Sequence, residues 1–211
     1  MEIKRIKTGN VNCYLMVHGR AAILVDTGRR KHRVKVLEAC REYHVTLIVL
    51  THGHVDHAQN AAFLSERLQV PIAMHRADLA LLEDNRSQVL TADTFLGKQV
   101  LEASLKLFQT EKIPSFSPRF FLEEGDILDA WGVPAKVIEL PGHTRGSIGF
   151  DTGEHLLVGD ALMNMFHHPC ATLLFHNEEA MLGSAARIGD MGRRTIWFGH
   201  GKQARNRRWV R

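Results

Sequence analysis

Three imidazoles and one carboxylate stand within six residues of this chain, in the run Thr51-His52-Gly53-His54-Val55-Asp56-His57. Imidazole nitrogens and carboxylate oxygens are ligands for divalent zinc, and also for iron or manganese. In extended backbone His52 and His54 point the same way and can grip one cation. Asp56 and His57 come as the chain turns into a helix and can reach a second. A chance surface cluster would explain neither Gly53 between the ligands nor the apolar run Thr46-Leu47-Ile48-Val49-Leu50 just before them.

Three further ligand-type residues share that setting, each beside glycine and after an apolar run. His143 follows Val137-Ile138-Glu139-Leu140, Asp160 follows Leu156-Leu157-Val158-Gly159, and His200 follows Ile196-Trp197-Phe198-Gly199. Any one alone would be an ordinary turn residue. Together they close a ligand count. A pair of cations needs about three protein ligands each plus shared bridges, with positions left open for water and substrate. His52, His54 and His143 make one set, and Asp56, His57 and His200 the other. Asp160 has two oxygens with which to bridge them. Asp26, in Asp26-Thr27-Gly28 after another apolar run, has two compatible readings. It caps the helix that follows, or it orients a metal-binding histidine from behind.

The elements that must hold these groups are read from periodicity. Residues 3–6, 13–18, 21–25, 46–50 and 70–75 read as strands, with helices over 30–44 and 57–68. The first helix is expected to bury Val34, Leu37, Cys40 and Tyr43. His75, at a strand end, is read as structural. Residues 76–120 differ, with two or three apolar-striped helices in a strand-rich chain. They are expected to be a helical insertion in one domain spanning 1–211. Their stripe is wider than one core contact needs. It can pack on the domain edge, wall a substrate pocket, or form a homodimer surface. Strand patterning returns at 119–122, 126–128, 135–140, 147–150, 155–158, 171–175 and 195–198. Turns at 124–126 and 131–134 fit hairpins. Asn177 is expected to cap a helix with Met181, Leu182, Ala185 and Ile188 inside.

Composition sets the class. The chain has 211 residues, 45% hydrophobic and 24% charged, as in ordinary globular domains. No apolar run is long enough to span a membrane, and the N-terminus has no secretory signal. Three scattered cysteines make no disulfide framework or thiolate site, and a reducing cytoplasm is the expected location. The net charge of +4 comes partly from the tail over 202–211, which is read as a solvated end. No aromatic-basic stacking pattern supports nucleic-acid binding. A small-molecule substrate is expected instead.

As a set, Thr-His-x-His-x-Asp-His at 51–57, Pro-Gly-His-Thr-x-Gly-Ser at 141–147, Gly-Asp at 159–160, Gly-His-Gly at 199–201 and Asp26-Thr27-Gly28 resemble the metallo-β-lactamase superfamily. The resemblance implies an α+β fold, an αββα sandwich of two mixed β-sheets face to face with helices outside. It implies the ligand sets above, at one edge between the sheets, with Asp26 orienting a ligand. His54 matches the hydrolase branch, since flavin-linked di-iron oxidoreductases usually carry glutamate there. A bridging Asp160 without a ligand cysteine departs from the true β-lactamases. The pattern is most similar to glyoxalase II-like hydrolases. The chain stops soon after His200, without the helical segment by which glyoxalase II binds glutathione, which counts against a glutathione thioester. No tyrosine follows Asp160 as in the lactonases, and no RNA-binding arm is visible.

The expected function is metal-dependent hydrolysis by a hydroxide bridging two metal ions, zinc first, on a small ester, thioester or lactone. Asp56 can take part in proton transfer. Asn164, His167, His168 and Cys170, past Asp160, are candidate substrate contacts, and the apolar stretch 163–166 and the helices at 76–120 suggest a partly apolar pocket. One alternative is a mononuclear iron enzyme resembling persulfide dioxygenases. Another is a non-catalytic metal- or RNA-binding scaffold.

Overall fold

A computed structural model describes residues 1–165 and 167–210; Phe166, part of the expected pocket stretch, lies outside the described residues. The first sheet holds six strands in sequence order: β1 (Glu2–Thr8), β2 (Val11–His18), β3 (Ala21–Val25), β4 (His44–Val49), β5 (Ile72–Met74) and β6 (Phe120–Phe121). The first three are antiparallel, and β3 through β6 are parallel. Parallel neighbours need crossovers. α1 (Arg33–Arg41) carries the chain from β3 to β4, and α2 (Val55–Ala58) with α3 (Ala61–Leu68) from β4 to β5.

The second sheet contains β7 (Lys136–Glu139), β8 (Ile148–Asp151), β9 (His155–Gly159), β12 (Thr195–Phe198) and β13 (Ala204–Arg205), in the order β13-β12-β9-β8-β7. β9 and β12 are parallel and the other pairs antiparallel. β10 (Leu162–Met165) and β11 (His168–Ala171) form a separate hairpin. α4 (Leu79–Glu83), α5 (Phe95–Thr110) and α6 (Glu178–Asp190) complete the chain. No helix among the described residues is long and apolar enough to cross a membrane.

Alternation of side chains decides the layers. In β2, Tyr14 and Met16 join Val137, Phe150 and Leu157 of the second sheet in one core. Cys13, Leu15 and Val17 turn the other way, onto Val36, Leu37 and Cys40 of α1 and Leu64 of α3. On the far side, Ile138, Leu156, Ile196 and Phe198 meet Ala185 and Ile188 of α6. Each buried Val, Leu, Ile, Met or Phe among them contributes about 1.5–3 kcal/mol. The result is the expected αββα sandwich of two mixed sheets.

Several local expectations are corrected. Val34 is 61% exposed and Val36 takes its place. The two are two residues apart, about 200° around the helix, so only one can face the sheet. Leu182 is exposed for the same reason, and Ser184 lies inward with Met181, Ala185 and Ile188. The helix expected over 57–68 breaks at 59–60, where Asn60 Nδ2 donates to the carbonyls of Thr27, Gly28 and Arg29. Residues 126–128 form only the single bridge of Ile127 to Lys136. The strand expected at 171–175 lies earlier, as β11, and pairs with β10, which periodicity did not single out. The tail keeps its basic side chains Lys202, Arg205, Arg207 and Arg208 exposed, as expected, but its backbone is anchored. β13 lies within it, and Trp209 and Val210 pack on the core beneath α6.

Candidate metal centre

Strand direction brings the candidate residues together. Asp26 follows β3 and His52 and His54 follow β4, and these two strands are parallel neighbours. Asp160 and His200 follow β9 and β12, also parallel neighbours. β7, two antiparallel steps from β9, ends in the same direction and delivers His143. All these C-terminal strand ends therefore open on one edge of the sandwich. His57 stands in α2, the short helix that β4 feeds.

The side chains converge in three overlapping groups: His52, His54 and His143; His52, His57 and Asp160; and Asp56, His57 and His200. In each group one ligand atom per residue lies within 4.8 Å of the others. Hydrogen bonds from behind set which ring nitrogen faces inward. His57 Nδ1 donates to Asp26 Oδ2 at 2.9 Å, His143 Nδ1 to Leu174 O at 2.8 Å, and His200 Nδ1 to Asn10 O at 2.8 Å. His52 Nδ1 lies 3.0 Å from Thr51 Oγ1, which itself donates to Asp26 at 2.9 Å. These four rings present Nε2 to the centre. His54 differs: its Nδ1 lies 3.0 Å from His143 Nε2, and its ring stacks on Phe108. Two ligand atoms of one cation bound at about 2.0–2.1 Å stand roughly 2.9–3.4 Å apart.

The decisive test of fit is what these atoms lack. His52 Nε2, His54 Nε2, His57 Nε2 and Asp160 Oδ1 are buried with no hydrogen-bond partner. Unpaired buried polar atoms cost about 1–3 kcal/mol each, so a native fold keeps such a set only where something else satisfies them. A cation does so for Asp160 Oδ1 and for His52 Nε2 and His57 Nε2, which offer a lone pair when the ring is neutral, whereas His54 offers Nδ1 and keeps the proton on Nε2. Asp160 lies between the ligand groups. Its Oδ2 is 3.1 Å from His200 Nε2 and 3.8 Å from His143 Nε2, and its Oδ1 is 3.5 Å from His57 Nε2. Gly199 permits this approach, since a Cβ there would collide with Asp160 Oδ1.

The electrostatics separate the residues. Burial, joined by neighbouring imidazoles, pushes His52 and His54 well below the ordinary imidazole range, and burial pushes His143 down too. Burial also acts against a charged His57, but the carboxylates of Asp160, Asp26 and Asp56 override it and hold that ring up at about 10. His200 is raised on the same balance, with Asp160 its main support. Burial would raise Asp160, yet His200 and His57 hold it well below the usual carboxylate range. The centre thus divides into neutral imidazoles at His52, His54 and His143 and a carboxylate-rich side, with Asp160 and Asp56, that favours positive charge at His57 and His200.

A carboxylate that periodicity did not reveal, Asp78, ties the ligand loops together. It is fully buried in the turn before α4. Its Oδ2 accepts from Gly53 N at 3.0 Å and Thr144 Oγ1 at 2.7 Å, and its Oδ1 from Gly146 N and Gln88 Nε2, both at 2.8 Å. One side chain therefore holds the His52–His54 loop to the His143 loop. Gly53 is required by the same packing, because a Cβ would stand 2.8 Å from Leu81 Cβ and 2.9 Å from Asp78 O. Asp26 caps no helix, since its carboxylate is engaged by Thr51 and His57. His75 keeps its structural role, with Nδ1 accepting from Ala77 N.

Over the cluster lies a cleft of about 540 Å³, lined by His54, Asp56, His143, Asp160 and His200. α5 forms its apolar wall through Leu96, Val100, Leu107 and Phe108, so the helices at 76–120 do shape the pocket. Arg29, from the loop after β3, pairs with Glu111 at the end of α5. None of Asn164, His167, His168 and Cys170 lines this cleft. β10 alternates, and Met163 and Met165 face the cleft, while Asn164 turns away and donates to Lys202 O. Asn164 and His167 instead line an adjoining groove. The period-2 rule applied to β10 would have found this, had the strand been recognised.

A four-layer αββα sandwich with a buried His/Asp cluster at the strand ends defines a metal-binding protein. Residues 6–200 match the family model described as the metallo-beta-lactamase superfamily, and the chain belongs to that family. An uncharacterized protein of Aquifex aeolicus is 31% identical over 150 residues, 69% of this chain and 63% of its own length. The hydroxyacylglutathione hydrolase GloC of Haemophilus influenzae is 30% identical over 153 residues, 71% of this chain and 65% of its own. The matched stretch thus spans somewhat under two thirds of these relatives. Among solved structures, TTHA1623 in a di-iron-bound form superposes with a TM-score of 0.69 at 24% identity, covering 96% of this chain and 94% of that one.

Proposed function

We propose that this chain is a hydrolase of small esters, thioesters or lactones that works with two divalent cations, zinc being the expected metal. The observation that carries the reading is the set of buried, unpartnered acceptor atoms beneath an open cleft. His52, His54 and His143 would hold one cation and Asp56, His57 and His200 the other, with Asp160 between. Bound there, the pair supplies a water acidic enough to ionise near pH 7 and a Lewis acid for the carbonyl oxygen. The rest falls to the chain. Asp56 lines the cleft and has no hydrogen bond among the described residues, so the carboxylate oxygen that it would not give to the cation could take part in proton transfer. Phe108, Leu107 and Val100 exclude water from the acyl group and favour it over a polyanionic backbone.

The name of the Haemophilus relative, a hydroxyacylglutathione hydrolase, supports the thioester end of this range. A mononuclear iron enzyme would need one ligand set. The group Asp56, His57 and His200 also gathers one ligand atom per residue within 4.8 Å, which supports two. Metal analysis of protein purified without chelator is expected to give about two zinc per chain. Turnover is expected on thioesters or lactones and not on phosphodiesters. One iron per chain with oxygen uptake would replace this reading. Failure to bind or take up any metal would end it in favour of a scaffold.

A further inference from the structure

Beside the metal cleft lies a second concavity of about 290 Å³. The two share Asn10, Met165 and His200 and so adjoin at those residues. Arg5 and Lys7 of β1 and Lys202 after His200 line the groove, with His167, and no carboxylate is among its described lining residues. The ion pairs of Lys and Arg among the described residues involve other side chains. A concave wall of one charge sign concentrates anions.

Arg5 is built into place. β1 buries Ile6 and Thr8 and turns Arg5 and Lys7 to the opposite face. Arg5 Nε donates to Asn12 Oδ1 at 2.8 Å. Asn12 is 1% exposed, and its Nδ2 donates to Phe198 O at 2.9 Å and Gly201 O at 2.8 Å. The guanidinium is therefore held by one neutral bond, and its terminal nitrogens have no protein partner among the described residues. Such a fork matches a carboxylate or phosphate bidentately. Asn164 adds an independent sign of a ligand. It lines the groove, is nine-tenths buried, and its buried Oδ1 has no partner among the described residues.

We propose that this groove is an anion subsite for a carboxylate or phosphate carried by the substrate on the β1 side of His200. The inference rests on the hydrolase reading and narrows it to acyl compounds with an apolar part against α5 and one oxyanion in the groove.

The test uses the metal-loaded protein and a matched panel: S-acetyl-2-mercaptoethanol, S-acetyl-3-mercaptopropionate, S-succinyl-2-mercaptoethanol and S-acetyl-2-mercaptoethyl phosphate. At low ionic strength at least one anionic thioester is expected to exceed the neutral one in kcat/KM by about tenfold or more, the worth of one charge-assisted bond. Carboxylate and phosphate members identify the source of the oxyanion. The ratio is expected to fall towards one in Arg5→Ala and in Lys7→Ala, to survive in part in Arg5→Lys, and to shrink with added salt. Equal kcat/KM for charged and neutral esters, or a preference untouched by both alanine variants, overturns the subsite and leaves the hydrolase standing. If no ester turns over, the hydrolase fails separately, and inorganic phosphate titrated against the Arg5 Nε–H NMR signal decides the groove. A saturable shift keeps it and a flat response removes it.

Discussion

At the scale of single residues, the centre depends on side chains that do not face it. Asp78 accepts four hydrogen bonds from two ligand loops and Gln88, all buried. Asp78→Ala strands those donors, at about 1–3 kcal/mol for each one left unpaired. We expect a loss of about 3–5 kcal/mol in urea unfolding, with weaker zinc binding in the fraction that folds. A loss under about 1 kcal/mol would mean that water replaces the carboxylate and that Asp78 is no tie between the loops. Glu111 works at the rim. Partial burial would raise its pKa, but the bond and charge of Arg29 outweigh that and hold it below the ordinary carboxylate value. A depressed folded pKa stabilises above the unfolded value, about 4.3, and that contribution is lost as pH falls through the folded one. Glu111→Gln should therefore be less stable than the parent at neutral pH, with the gap closing below about pH 4. A gap that stays constant with pH would show that the pair contributes nothing through charge.

At the scale of elements, α5 is the part of the chain that turns a metal cluster into a pocket. Its Phe108 is buried and stacks on His54 with ring centroids 4.9 Å apart. Phe108→Ala is expected to cost about 3 kcal/mol and to raise KM for apolar acyl substrates more than it lowers kcat, because the wall is lost while the ligands remain. A fall in kcat with KM unchanged would instead make Phe108 a positioning residue for His54. The hairpin of β10 and β11 gives the complementary lesson. Its register faces Met163 and Met165 into the cleft and assigns Asn164 to the neighbouring groove, an exchange that follows from strand alternation alone.

At the scale of the molecule, the centre is a staple between two sheets. His52, His54, Asp56 and His57 come from the first sheet's connections, and His143, Asp160 and His200 from the second's. Their unpartnered atoms repel or remain unsatisfied across the sandwich unless a cation joins them, so metal binding and folding are linked. A metal at a hundred times its Kd adds about 2.7 kcal/mol, which for a chain of this size raises Tm by roughly 5–10 °C. Chelation should reverse that shift and zinc should restore it. An identical Tm with and without chelator would dissociate the cluster from metal.

Much of this was legible in the chain itself. Apolar runs ending in His, Asp and Gly mark strand ends, and the residues that face a cation from a strand end must be ligand types, so the seven candidate ligands and Asp26 stand out by chemistry and spacing. The sandwich was legible only through the resemblance of the motif set to the metallo-β-lactamase superfamily; strands apolar on both faces then find cover on both sides in it. What only tertiary structure decided is whatever depends on partners far apart in sequence. Asp78 resembles any surface aspartate until Gly53, Gln88, Thr144 and Gly146 close around it. Val34 and Val36 are equally apolar, and the sheet chooses between them. The tail is basic by composition, yet Trp209 and Val210 find the core beneath α6. Arg5 and Lys7 become a groove only because β12 brings His200 and Lys202 beside the first hairpin. Local sequence encodes periodicity and ligand type, whereas burial, pocket walls and the pairing of distant charges exist only once the layers have closed.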